Sequence, residues 1–193
     1  HTAYRRQRQM CIRDSYHSDL KTYVLGELAY QNGKQFKINN EDYFELPKNI
    51  NLKSRAPFTL DINANQAEYQ NTWATDLIDA YGVKGLIALT TFFGSLYAQQ
   101  IRQTHKSFPF VEIVGEPGTG KSTLLQFLWK LFGRINYEGV DPTKTSKAGL
   151  TRTFRQVSNL PVILIESDRQ GETASKQFNW DMCKTLYLSL IHI

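Results

Sequence analysis

Residues 108–123 constrain the fold more than any other stretch of the chain. They read FPFVEIVGEPGTGKST. The apolar run at 110–114 has the length and composition of a buried strand. It leads directly into Gly115, Glu116, Pro117, Gly118, Thr119, Gly120, Lys121 and Ser122. That octamer fits the phosphate-binding pattern G-x-x-x-x-G-K-[ST] without a mismatch. A helical run follows from Thr123 to residue 132. With glycine at its average abundance of about 7%, the octamer arises by chance in roughly one chain of this length in a hundred.

These residue types suit a polyphosphate at this spacing. Backbone encloses a triphosphate only where side chains do not block the approach, and Gly115, Gly118 and Gly120 remove that block. The loop N–H groups form an anion-binding nest, and the following helix adds its positive end. Lys121 is expected to reach the β- and γ-phosphates, and Ser122 to place its hydroxyl on Mg²⁺. Glu116, Pro117, Thr119 and Thr123 complete the expected ATP cradle.

The chain has 193 residues, room for one ordinary domain or one and a half small ones. Its formal charge is +5, but Arg5, Arg6, Arg8 and Arg13 against Asp14 place +3 of that in residues 1–15. The string RQRQMCIRDS there resembles translated sequencing-adapter read-through, and LSLIHI at 188–193 resembles the same at the tail. The alternative is a basic arm that touches nucleic acid. Residues 1–15 and 188–193 are therefore set aside as artefactual or disordered, leaving an internal fragment of a longer protein. Without the head, basicity no longer argues for nucleic acid. Cys183 is then the one cysteine outside the two ends, which suits a reducing cytoplasm. The histidines are too isolated to suggest a metal site.

Residues 16–60 read as a small β-rich unit. Residues 22–30 are rich in β formers, Asn32-Gly33 is a hairpin dipeptide, and Gln35-Phe36-Lys37-Ile38 alternates after it. A turn at 39–42 and a strand at 43–46 precede Pro47. No catalytic constellation appears, so packing is the expected role. Residues 61–106 read as a linker and two helices. Tyr69, Trp73, Leu77 and Tyr81 recur at i+4, making Trp73 a core anchor rather than a base-stacking platform. Gly82 ends that helix, and a strongly apolar one spans 83–103. Its 14-residue middle, 85–98, is too short to span a membrane and is flanked by Lys84 and Arg102; a buried core helix is expected.

After the loop, Leu124, Leu125, Leu128, Leu131 and Phe132 form an apolar face expected to lie against a sheet, and Gly133 ends the helix. A short strand is expected at 137–140, then a helix opened by Asp141 as N-cap and Pro142. In it Leu150, Phe154 and Val157 share one face. Lys144, Lys147, Arg152 and Arg155 share another, either a solvated surface or a contact for nucleic-acid phosphates.

The second informative stretch is 160–169, LPVILIESDR. Aliphatic residues ending in a carboxylate suit a buried parallel strand, whose carboxy end faces the ligand edge of such sheets. This resembles a Walker B strand. Glu166 is the candidate to hold the magnesium shell or polarise the attacking water, and Asp168 is the alternate for the second role. Glu166 lies 45 residues after Lys121, enough for an intervening strand and helix. That spacing suggests the RecA-like and AAA+ branch of P-loop ATPases. The expected class is α/β, a partial P-loop core with a parallel sheet at 107–187, preceded by the helical pair and the β-rich unit.

With both motifs placed, residues 73–187 resemble the ATPase part of primase–helicase proteins of bacterial mobile elements and prophages. The resembling stretches are GLIALTTFFGSLYAQQIR, SFPFVEIVGEPGTGKSTLLQFLWKLFGR, YEGVDPTK, VSNLPVILIESDR and KQFNWDMCKTLY. The resemblance implies ATP-driven work on single-stranded DNA or a DNA fork, as a ring-like homo-oligomer. No toprim (primase-type) domain is visible. Arg152, Arg155 and Arg169 are possible trans-acting arginines. Two alternatives stay open, a P-loop kinase for a small molecule and a non-catalytic nucleotide-responsive interaction module.

Overall fold

In the computed structural model, residues 8–12, 15–54, 60–63, 65–135, 139–165 and 183 are described. The fold is mixed α/β. The chain divides into two compact units, residues 1–60 with 151–158, and residues 61–150 with 159–193.

The first unit is a strand meander. Its strands are β1 (Arg8–Ile12), β2 (Tyr16–His17), β3 (Thr22–Val24), β4 (Leu28–Gln31), β5 (Lys34–Lys37), β6 (Phe44–Leu46) and β7 (Ile50–Ser54). The order β2-β3-β4-β5 is antiparallel throughout. β6 pairs antiparallel with β7, and β7 pairs parallel with β1. A single antiparallel bridge, Ile38 to Phe44, joins the two sheets end to end.

Local chemistry sets the turns. Asn32 and Gly33 both have positive φ, 51° and 73°, the requirement of the two-residue turn that closes Gln31 against Lys34. Residues 22–30, rich in β formers, are folded back on themselves as β3 and β4. Gly26, at φ 85°, turns the chain, and Leu25 N–H bonds to the Leu28 carbonyl at 2.8 Å. Val24, Ala29, Phe44, Leu46 and Leu52 are buried together, with Leu20, Phe36, Ile38 and Ile50 packed against them.

The head set aside above enters this fold. Residues 8–12 align with 50–54 in continuous register. Ser15 is fully buried; its hydroxyl donates to the Ser158 carbonyl at 2.6 Å and accepts from Ser158 N–H at 3.1 Å. β1 and β2 lie at opposite ends of the strand row, yet few residues separate them in sequence. A flat row of seven strands measures about 29 Å across. The link from residue 12 to residue 16 reaches about 14 Å at most. The row must therefore curl until its ends approach.

The second unit is helical where described. A single 3₁₀ turn, Gln66–Glu68, precedes α1 (Thr72–Ser95), α2 (Ala98–His105) and α3 (Lys121–Leu131). α1 begins at Thr72 rather than near 67, so Tyr69 lies outside it and is exposed. Gly82, at φ 57° and ψ −145°, breaks α1 into two helical segments, the boundary expected from sequence. The apolar helix expected over 83–103 is broken again. Tyr97 leaves helical geometry at φ −113° and ψ 17°, and α2 starts at Ala98.

Leu77, Gly85, Ala88, Phe92 and Ser95 form the buried side of α1. Leu124, Leu128 and Trp129 form that of α3. Phe92 meets Trp129 and Phe132 edge-on, both at 5.8 Å, and Trp73 meets Phe127 at 6.1 Å. The α3 face expected to lie on a sheet thus packs on α1 aromatics. The opposite side of α1 is apolar and open, with Val83 71% and Ile87 52% exposed. α1 is long and apolar enough to cross a membrane by length and composition, so the shortness inferred for 85–98 does not hold for the whole helix.

Two strand expectations come out differently. Residues 110–114 form no strand, and no strand among the described residues pairs with them. Phe110, Val111 and Val114 are 58%, 42% and 79% exposed, not buried. Ladder partners, more than composition, make a strand, and among the described residues none pairs with this run. The second stretch has one: Leu164 and Val140 form a parallel bridge, with Val140 N–H on the Ile163 carbonyl at 2.9 Å and Ile165 N–H on the Val140 carbonyl at 3.0 Å. That bridge is the extent of parallel pairing described in this unit.

Beyond it, Asp141 does not open a long helix. Its carboxylate accepts from Thr143 Oγ1 at 2.6 Å and Thr143 N–H at 2.9 Å, closing one turn. α4 (Lys147–Gln156) starts later, where the Ser146 hydroxyl accepts from Gly149 N–H.

Candidate functional site

The loop at 115–122 is curled. Pro117 and Gly118, the latter at φ 80°, suit the two central places of a type II turn. Thr119 N–H closes it on the Glu116 carbonyl at 3.4 Å, and the Thr119 hydroxyl donates to the same oxygen at 2.8 Å. Gly120 returns to positive φ, 83°, immediately before α3. Positive φ at Gly118 and Gly120 thus alternates with ordinary backbone at Thr119 and helical backbone at Lys121. That alternation turns successive N–H groups toward one concavity, which suits an anion.

Glycine is required here for two reasons. At Gly118 and Gly120 the left-handed backbone strains any other residue. At Gly115 a Cβ would lie 3.1 Å from Thr119 Oγ1, tight against the turn.

Lys121 folds back across the loop. Its ammonium donates to the carbonyls of Gly115 at 2.5 Å and Glu116 at 2.7 Å. The Glu116 carbonyl therefore gathers three donors, a knot that holds the turn shut. Phosphate oxygens at this position would take the place of those carbonyls, and charge-assisted bonds to phosphate are the stronger kind.

No side chain caps α3. Its first-turn N–H groups lack intrahelical acceptors, as in any helix, and an anion satisfies them. Ser122 and Thr123 are exposed on that turn, Ser122 next to the lysine. The residues present fit a phosphate chain: a nest, a lysine over it, an uncapped helix end and a hydroxyl for a hydrated cation.

Tyr81, by its i+4 spacing, reads as core rather than site. Its hydroxyl donates to the Gly120 carbonyl at 3.1 Å. Its hydroxyl stands 3.0 Å, and its ring 3.5–3.6 Å, from where a Cβ on Gly120 would be. The signal in the sequence is slight, a polar-tipped aromatic immediately before the glycine that ends its helix.

Glu166, Asp168 and Arg169 lie outside the described residues. The segment before them is fixed by the bridge to Val140 and by Gly139, where a Cβ would meet Ile163 and Ile165 atoms at 3.0 Å. Among the described residues no group of three or more histidine, cysteine or acidic side chains converges as a metal site. Of the proposed magnesium ligands, Ser122 is thus the one in view. Lys147, Arg152 and Arg155 are exposed along α4, and Lys144 pairs with Asp141 at 3.3 Å.

Compared with protein-family models, curated proteins and solved structures, the chain matches none.

Proposed function

We propose that the loop at 115–122 binds the phosphates of ATP with Mg²⁺, and that the chain is the ATP-hydrolysing module of a motor working on DNA. The observation that carries this reading is the alternating backbone from Gly118 to Lys121 ahead of an uncapped α3, with the Lys121 ammonium folded over it. A row of converging N–H groups with a cation above has little use in a packing turn.

On this reading the roles divide as follows. Loop N–H groups and the α3 end hold the phosphate oxygens in place. Lys121 exchanges its two carbonyl acceptors for β- and γ-oxygens and offsets their charge. Ser122 holds the magnesium ion. When bound, Mg²⁺ supplies further charge neutralisation as the terminal phosphate departs. Glu166 or Asp168 is assigned the water-orienting role because both follow an aliphatic stretch in the sequence order of P-loop ATPases. The DNA partner and ring-like assembly rest on the likeness to primase–helicases alone.

Lys121→Ala tests the site. The expected result is loss of ATP binding at least about 100-fold, two charge-assisted contacts being removed. Wild-type binding by this variant would reject the assignment. Phosphate release with and without single-stranded DNA tests the motor. Stimulation by DNA supports it, whereas phosphate transfer to a small acceptor without DNA response favours the kinase alternative.

A further inference from the structure

We infer that Tyr81 is a positioning residue of the phosphate loop, acting through the peptide unit between Gly120 and Lys121. The inference rests on the phosphate-binding reading above and names a residue outside the motif that sustains it.

The Gly120 carbonyl accepts two donors, Tyr81 Oη at 3.1 Å and Leu124 N–H at 2.9 Å. The second is the opening bond of α3. The first comes from another helix, 39 residues earlier. In a trans peptide the C=O and the following N–H point in opposite directions. Holding the Gly120 oxygen toward α1 and α3 therefore turns the Lys121 N–H the other way, toward the loop concavity. That N–H belongs to the nest an anion would occupy.

The tether matters because this peptide borders a glycine. Gly120 sits at φ 83° and ψ 12°, but glycine visits either sign of φ with little preference. Left alone, the unit rotates and takes one nest donor out of line. Leu124 N–H resists that rotation only from the helix side. Tyr81 adds a second fixed point, and its ring closes the volume beside Gly120.

Tyr81 is itself braced. It is the last residue before the break at Gly82. Beyond the break, Gly85 comes so close that a Cβ on it would lie 2.7 Å from Tyr81 Cβ. The missing side chain at Gly85 leaves room for Tyr81 beside the bend in α1. A tyrosine serving only to join α1 to α3 does not need its hydroxyl.

The test compares wild type, Tyr81→Phe and Lys121→Ala for binding of MgATP and of tripolyphosphate, which carries no base or sugar. Urea midpoints are measured in parallel. Tyr81→Phe keeps the ring and removes the tether. It is expected to weaken both ligands by the same factor, about 3–10-fold. The urea midpoint should hardly move, because Leu124 still satisfies the carbonyl. If Tyr81→Phe binds tripolyphosphate as tightly as wild type while Lys121→Ala does not bind, the role of Tyr81 fails and the site reading stands. If ATP weakens but tripolyphosphate does not, Tyr81 touches the nucleoside instead, and the inference is overturned. A loss of binding matched by an equal loss of stability also overturns it. Binding by Lys121→Ala equal to wild type removes the site reading itself.

Discussion

Single residues show how far a sequence motif reaches. The glycines of the loop are legible because the octamer demands them, and Gly133 is legible as a helix end. Arg134 N–H reaches the Trp129 carbonyl and Gly133 N–H the Lys130 carbonyl, both at 2.9 Å, the pattern of a Schellman cap. What spacing does not tell is that Asp61 crosses this cap. A Cβ on Gly133 would overlap the Asp61 carbonyl, whose own N–H bonds to the Gly133 oxygen at 2.7 Å. Gly133→Ala therefore meets both a left-handed backbone and a fixed neighbour; a loss of at least about 2 kcal/mol in urea unfolding is expected. Tyr81 is hidden for the same reason, since its partner lies on another element. Asp141 gives a pH prediction. The Thr143 hydroxyl first, then backbone N–H groups and Lys144, hold its carboxyl well below the ordinary 3.8. A lowered folded value means stability present above about pH 4 and lost as pH falls toward the folded value. Asp141→Asn should be less stable than wild type at pH 7, and the gap should narrow steadily below pH 4. A gap independent of pH would contradict this origin.

Elements were legible where one face decides them. The i+4 spacing of Tyr69, Trp73, Leu77 and Tyr81 and the glycine at 82 mark the first half of α1 and its break, but not its start, which comes at Thr72. The apolar residues of α3 mark a buried side, but not what covers it. Trp129 is buried on that side although the aliphatic count omits it, because its partners are rings on α1 rather than a sheet. Trp129→Ala should cost about 3–5 kcal/mol, measured by chemical denaturation. The break at 96–97 was not legible, since an apolar run carries no mark where tertiary packing bends it. In α4 the basic side chains are exposed as the arc predicts. If they touch DNA, Lys147→Ala with Arg152→Ala should lower the slope of log affinity against log salt by about 1.4 for single strands. Unchanged affinity and slope would leave that face solvated only.

At the scale of the molecule, the order β-rich unit, helices, loop was readable from turn dipeptides and periodicity. The pairing of the head was not. A pentamer such as RQMCI carries little alternation, and β7 accepts it through backbone groups that any strand supplies. Removing residues 1–12 should leave the β signal in circular dichroism while lowering stability by about 1–3 kcal/mol, five cross-strand pairs being lost. Loss of the whole β signal would show instead that β1 is integral to the meander.

The exposed run at 111–114 carries a last consequence. Val111 and Val114 turn oily side chains to water beside backbone that no strand among the described residues pairs with. Such a segment is adhesive toward any chain with the same habit, so crowded preparations should clump through it before they unfold. A lysine at 111 would be the simplest repellent, postponing turbidity while leaving the melting temperature where it was.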